Sequence, residues 1–181
     1  MIGIIFTEFI DMVEDKFSLE VVDRIIERVA PESGGAYTTV GNYSDPEMVS
    51  MVSVLSEETG IAVPDLLKAY GEHLMGRFTV VYPWFFEGKT SAIEFLGTVE
   101  DHVHAETRKL YPNAITPVID CEPVDADNCV IHYRSPRGLA DVAEGLLLGC
   151  MKHFGETFAI EREDLSGGQS TEVRFTLSRR H

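Results

Sequence analysis

Tyr133, Ser135 and Arg137 stand at every second position of the segment Tyr133-Arg134-Ser135-Pro136-Arg137. Alternate residues of a strand share a face, so two hydroxyls and a guanidinium converge on one small volume unless Pro136 turns the chain first. A guanidinium grips a carboxylate through two parallel hydrogen bonds, and two hydroxyl donors take the oxygens of a second carboxylate nearby. The guest such a trio suits is a dianion with an apolar body. Read alone, the same pentapeptide is also a solvated strand end, with Arg137 paired to one of the chain's many acids.

Two histidines supply a second group of candidates. His102 and His104 are two apart on a predicted helix, about 200° around its axis, so they cannot ligate one metal together. One of them at most enters a pocket on a given side. His104 shares its flank with Ile93, Gly97 and Tyr111, and Gly97 leaves room there for something flat. A half-buried, hydrogen-bonded side chain is the competing reading of such a histidine.

The elements that must position these groups follow from periodicity. Ile4, Ile5, Phe9, Met12 and Val13 recur at helical spacing, and Val21, Val22, Ile25, Ile26 and Val29 repeat it after Ser18, a fitting N-cap. Asp45-Pro46 opens a third helix that Gly60 ends, and Pro64-Asp65 opens a fourth that runs to about Gly76. The aromatic stretch Phe78 to Phe86, broken by Pro83, fits no single element. Thr90 to Tyr111 reads as one long helix with the stripe Ala92, Leu96, Val99, Val103 and Leu110, stopping at Pro112-Asn113.

After that point the period changes to two. Strands are predicted near 119–122 and 129–135, with Asp125 to Asn128 as the turn between them. A helix from Leu139 to Phe154 comes next, then strands near 157–163 and 171–177 around Ser166-Gly167-Gly168. Gly145 and Gly149, one turn apart on that helix, admit close approach of another helix or of a ring. Helices first and a four-stranded antiparallel sheet with one more helix after them make the class α+β. The expected organisation is a single domain, residues 1–181, ordered except at its Ser178–His181 tail.

Composition removes several functions. With 30 acids against 15 lysines and arginines, the net charge of −15 repels a phosphate backbone, so nucleic acid is not an expected partner. Glu8, Asp11, Glu14 and Asp15 stand where a secretory leader would be basic, and no apolar run is long enough for a membrane span, so the expected location is the cytoplasm. Cys121, Cys129 and Cys150 are odd in number and form no CxxC pair, which points to buried reduced thiols.

Taken together, the Y-x-S-x-R spacing of Tyr133, Ser135 and Arg137 and the stretch "HVHAETRKLYPNAITP" resemble the haem-nitric-oxide/oxygen-binding (H-NOX) family over nearly the whole chain. The resemblance implies that the dianion is haem b (iron protoporphyrin IX), with Tyr133, Ser135 and Arg137 holding its propionates and His104 the protein ligand to iron. It further implies that Pro117 presses on the porphyrin and that Ile5 and Leu146 pack against the ring. The predicted long helix is then the proximal haem helix, and His102 lies outside the pocket. Iron held by one imidazole keeps an axial position open for a gas.

The same resemblance places Phe9, Leu74 and Val142 on the distal wall, none of them a hydrogen-bond donor. Bound O2 gains from a donor, whereas NO does not require one, and the missing bond is worth roughly 1.5–3 kcal/mol. NO and CO are therefore the expected ligands, with O2 excluded, unless a one-residue slip brings His73 to that wall. The implied mechanism is cleavage of the iron–His104 bond by NO, movement of its helix and relaxation of the ring against Pro117. With no output segment expected in the chain, the implied partner is a separate signalling protein, a histidine kinase or an enzyme of cyclic di-GMP turnover.

Two rival readings stand beside this one. A haem enzyme of peroxidase type requires a distal acid/base that the apolar wall lacks. A non-haem pocket protein binding a hydrophobic carboxylate uses Arg137 as its clamp and would purify colourless. Structural zinc is not expected: residues 156–175 contain neither Cys nor His, and Ala140 stands where some relatives carry a further Cys.

Overall fold

The computed structural model describes residues 1–112 and 114–180. Four helices open the chain: α1 (Gly3–Lys16), α2 (Leu19–Val29), α3 (Asp45–Thr59) and α4 (Val63–Val81). Ser18 caps α2 by accepting the Val21 N–H, and proline occupies the first turn of α3 and of α4, where its missing N–H costs nothing. Gly60 stops α3 in a left-handed conformation, φ 70°. The apolar faces of these helices close over one core that includes Phe6, Phe9, Met12, Ile25, Met51, Leu55 and Tyr70.

Beyond Gly76 the structure departs from expectation. Helix α4 continues to Val81, because Gly76 faces open space and the other side of the helix is packed against its neighbours. The aromatic stretch becomes the last turn of α4 and a single 3-10 turn, Pro83–Phe85. The predicted long helix is three pieces: α5 (Ala92–Leu96), a π-helical turn (Val99–His104) and α6 (Ala105–Leu110). The Thr98 carbonyl accepts the N–H of His102 at 2.9 Å and that of Val103 at 3.4 Å, the second at the five-residue spacing of a π-helix. The change of winding rotates the residues after the turn, so Leu110, assigned to the apolar stripe, is 61% exposed. Asn113, half of the predicted stop signal, lies outside the described residues.

Strands β1 (Val118–Pro123), β2 (Asn128–Arg134), β3 (Phe158–Asp164) and β4 (Glu172–Arg179) form one antiparallel sheet in the order β1-β2-β4-β3. Cys129, Ile131 and Tyr133 of β2 lie opposite Leu177, Phe175 and Val173 of β4, and all six are buried. The expected loose tail is instead part of the sheet: β4 runs to Arg179, and the Arg180 N–H donates to the Thr157 carbonyl. His181 is outside the described residues.

Helix α7 (Ala140–Phe154) joins the two halves. A methyl group on Gly71 of α4 would sit 2.2 Å from the Val142 carbonyl oxygen, and one on Gly145 would sit 2.1 Å from that of Lys68. The close approach admitted by Gly145 and Gly149 is therefore to helix α4. Leu146 of α7 packs against both the helical core and the second core, built on the sheet, α5 and α7.

Candidate functional site

Where the two cores meet, a cavity of about 300 Å³ opens, with almost wholly apolar walls. Lining it are nine of the ten predicted site residues: Ile5 from α1, Leu74 from α4, His104 from the π turn, Pro117 before β1, Tyr133, Ser135 and Arg137, and Val142 and Leu146 from α7. Phe9 is the exception. It is fully buried one layer back, with its ring edge-on to Tyr70 at 5.4 Å. Gly97 is also off the cavity wall, because the helix breaks there.

His104 has its side chain 14% exposed, and its Nδ1 lies 3.0 Å from Glu100 Oε2. Burial, opposed by that hydrogen bond, lowers its pKa from 6.5, so the imidazole is neutral at neutral pH. With Nδ1 taken by a carboxylate, Nε2 is the nitrogen left for the cavity, and a neutral imidazole is the form that ligates a metal. Glu100 also accepts the Ile119 N–H on Oε2 and Arg108 Nη1 on Oε1, and Arg108 reaches on to Thr116. Burial is the largest single influence on the Glu100 carboxyl and acts upward, but the three donors outweigh it and hold its pKa below the ordinary value. The other histidines point elsewhere. His102 packs edge-on to Phe85, and His73 faces the buried Glu8, which Arg77 also holds, so neither reaches the cavity.

The Y-x-S-x-R group is not one continuous strand. β2 ends at Arg134, and Ser135 to Gly138 form a turn in which Gly138 takes φ 63° and donates its N–H to the Ser135 carbonyl. Pro136 does turn the chain, yet all three side chains still line the cavity. The Tyr133 oxygen accepts the Leu139 N–H and the Ser135 oxygen accepts the Arg137 N–H, and the two hydroxyls also meet each other. Arg137 uses Nε on Asp45 and Nη1 on the Ile115 carbonyl, leaving Nη2. Two hydroxyls and a guanidinium therefore stand together at one end of an apolar cavity whose wall also carries a neutral imidazole. That donor set fits a flat apolar metal complex bearing two carboxylates, and haem is such a group. Among the described residues no cluster of three or more His, Cys, Asp or Glu side chains is arranged to hold a metal ion by itself.

Sequence reasoning missed four contributors. Tyr70, on the cavity wall one turn before Leu74, is 2% exposed and donates its hydroxyl to the Ile5 carbonyl. Burial raises that phenol well above its ordinary pKa, so it stays protonated and committed. Asp45 was legible only as a helix start, and the Met1 ammonium, which meets it 3.1 Å away, had no signal at all. Glu100 was four residues from His104, the spacing at which helical side chains meet, and was the one that could have been found.

A sequence profile of the family described as Haem-NO-binding matches residues 2–162. The Fe(II) unliganded H-NOX protein from K. algicida superposes on 100% of this chain and 97% of its own, with a TM-score of 0.94 and 38% identity. An H-NOX protein from S. oneidensis in the Fe(II)NO ligation state covers 100% of both chains at a TM-score of 0.92 and 24% identity, a likeness of fold. The soluble guanylate cyclase gcy-35 of Caenorhabditis elegans is 24% identical over 167 residues, which are 87% of this chain and 23% of that protein. The chain thus spans about a quarter of that relative's length. It belongs to the haem-NO-binding (H-NOX) family, whose domains bind haem and serve as gas sensors rather than enzymes.

Proposed function

We propose that the chain is an NO and CO sensor that excludes O2, carrying haem b with His104 Nε2 as the iron ligand, residues 1–181 acting as one sensor domain. The observation that carries this reading is the placement of His104 on the same apolar cavity that ends in the hydroxyls of Tyr133 and Ser135 and the guanidinium of Arg137. Haem, when bound, would supply a ferrous iron able to take a diatomic gas, with His104 as its protein ligand. Arg137 Nη2 and the two hydroxyls take the propionates, so neither carboxylate is desolvated without a partner. Ile5, Leu146 and Pro117 bear on the ring.

Leu74 and Val142 form the gas-side wall, with Phe9 behind it, and bring no donor. The Tyr70 hydroxyl is engaged with Ile5 and His73 is engaged with Glu8. A partly charged O2 thus lacks a hydrogen bond worth roughly 1.5–3 kcal/mol, about ten- to a hundredfold in affinity, whereas NO and CO lose little. His104 ends the π turn and precedes α6, so a change in its hold on the cofactor would bear on both, and a partner favouring one of two arrangements would be regulated by the gas. The partner proposed is a separate cytoplasmic signalling protein, either a histidine kinase or an enzyme that makes or degrades cyclic di-GMP.

Absorption spectra of the reduced, haem-loaded protein test this reading. The expected result is a nitrosyl complex that has lost its histidine ligand, a CO complex that keeps it, and no oxy complex in air. A stable oxy spectrum, or a protein colourless after growth with haem, defeats it.

A further inference from the structure

Glu100 stands one turn before His104, and its Oε2 accepts from Nδ1 at 3.0 Å. Such contacts are common on helix surfaces, but two further donors anchor this carboxylate. The Ile119 N–H, at the start of β1, reaches the same oxygen at 3.2 Å, and Arg108 Nη1 holds Oε1 at 3.0 Å. Arg108 is itself fixed by Thr116 Oγ1 at 2.8 Å, in the segment just before Pro117. The glutamate is 26% exposed and the histidine 14%, so water competes weakly for the bond between them. A carboxylate that receives the outer N–H of a metal-bound imidazole fixes its tautomer and ring plane and makes the inner nitrogen a stronger donor.

We propose that Glu100 is the positioning residue of the iron ligand, locking His104 in the Nδ1–H tautomer and tightening its hold on iron. This rests on the assignment of His104 as that ligand. Its consequence is specific to the switch: a histidine backed by a carboxylate is displaced by NO less readily than one without. Loss of the histidine on NO binding should therefore be faster when the carboxylate is removed. Glu100→Leu deletes the acceptor, and Glu100→Gln keeps an acceptor oxygen without the charge.

The test begins with the full chain free of haem, so that it does not depend on the cofactor. Nitrogen-15 NMR of the histidine rings at neutral pH is expected to show His104 protonated at Nδ1 in the wild type and a mixture of tautomers in Glu100→Leu. A wild-type His104 protonated at Nε2 overturns the proposal. In the ferrous haem-loaded protein, the iron–histidine stretching band should fall in Glu100→Leu and lie between the two in Glu100→Gln. Haem should leave the leucine variant about ten- to a hundredfold faster, the usual scale for losing such a partner. A band unmoved by Glu100→Leu removes the role of Glu100 and leaves the haem reading standing. Failure to take up haem removes that reading and the iron with it, and leaves only the tautomer result.

Discussion

Arg137 Nε stands 2.7 Å from Asp45 Oδ2, and the Met1 ammonium faces the other oxygen of the same carboxylate at 3.1 Å. One acid at the start of α3 thus ties down two cations that line the cavity. Burial is the largest single influence on the Asp45 carboxyl and acts upward. Hydrogen bonds and charge from Arg137 and the N-terminus outweigh it, so its pKa lies below 3.8. A carboxyl depressed on folding contributes stability that is present above its unfolded pKa and lost as pH falls through the folded one. Asp45→Asn should cost about 1 kcal/mol at pH 7, a charge-assisted bond discounted for a side chain 38% exposed. Urea unfolding should show that gap closing below about pH 4. A gap that stays constant down to pH 3 would mean that the pair contributes nothing through its charge.

The crossing of α4 and α7 has no room for a side chain at Gly71, whose Cβ would stand 2.8 Å from the Gly145 Cα. Gly71→Ala should destabilise by about 1–3 kcal/mol through overpacking, and lower the melting temperature by roughly 2–4 °C for each kcal/mol. Gly76→Ala, facing open space, should be neutral or slightly stabilising. Thermal melts of the two variants side by side check both expectations.

A donor on the gas side should convert the ligand preference. Val142→Tyr places a hydroxyl on the cavity wall, and O2 affinity should rise about ten- to a hundredfold while the NO complex changes little. Air titration of the reduced variant, followed by absorption, measures it. No oxy complex, with the tyrosine seen in the pocket, would show that a missing donor is not what excludes O2.

The thiols should differ sharply in reactivity. Burial pushes Cys150 up to about 12, and the hydrogen bond shared with Cys121, together with burial, raises Cys129 further. Cys121, part-exposed, has its thiol lowered by that same bond. Iodoacetamide at pH 8 should therefore modify Cys121 alone in the folded protein and all three after denaturation. Mass spectrometry of the intact protein counts the additions.

Much of this architecture was legible because its boundaries are local chemistry. Ser18, Pro46, Gly60 and Pro64 mark helix ends through hydrogen bonds and φ restrictions that no distant contact overrides. The alternation of Cys129, Ile131 and Tyr133 fixed the buried face of β2 for the same reason. What failed depends on contacts remote in the chain. Gly76 looks like a stop, but α4 is carried past it by its packing against α7, and a 3.6-residue period has no way to reveal the π turn that exposes Leu110. Within the site, alternation alone put Tyr133, Ser135 and Arg137 together, whereas their partners come from far off: Leu139 for the tyrosine, Asp45 for the arginine. Phe9 was placed on the wall by the family resemblance, and its position in the apolar stripe of α1 does not distinguish lining from backing.

The most direct measurement is haem retention by His104→Gly. With no imidazole added, the variant should purify without the wild-type ferrous spectrum, and free imidazole should restore it by entering the space the side chain leaves. A variant that keeps its pigment with an unchanged spectrum and no added imidazole would show that residue 104 does not hold the iron.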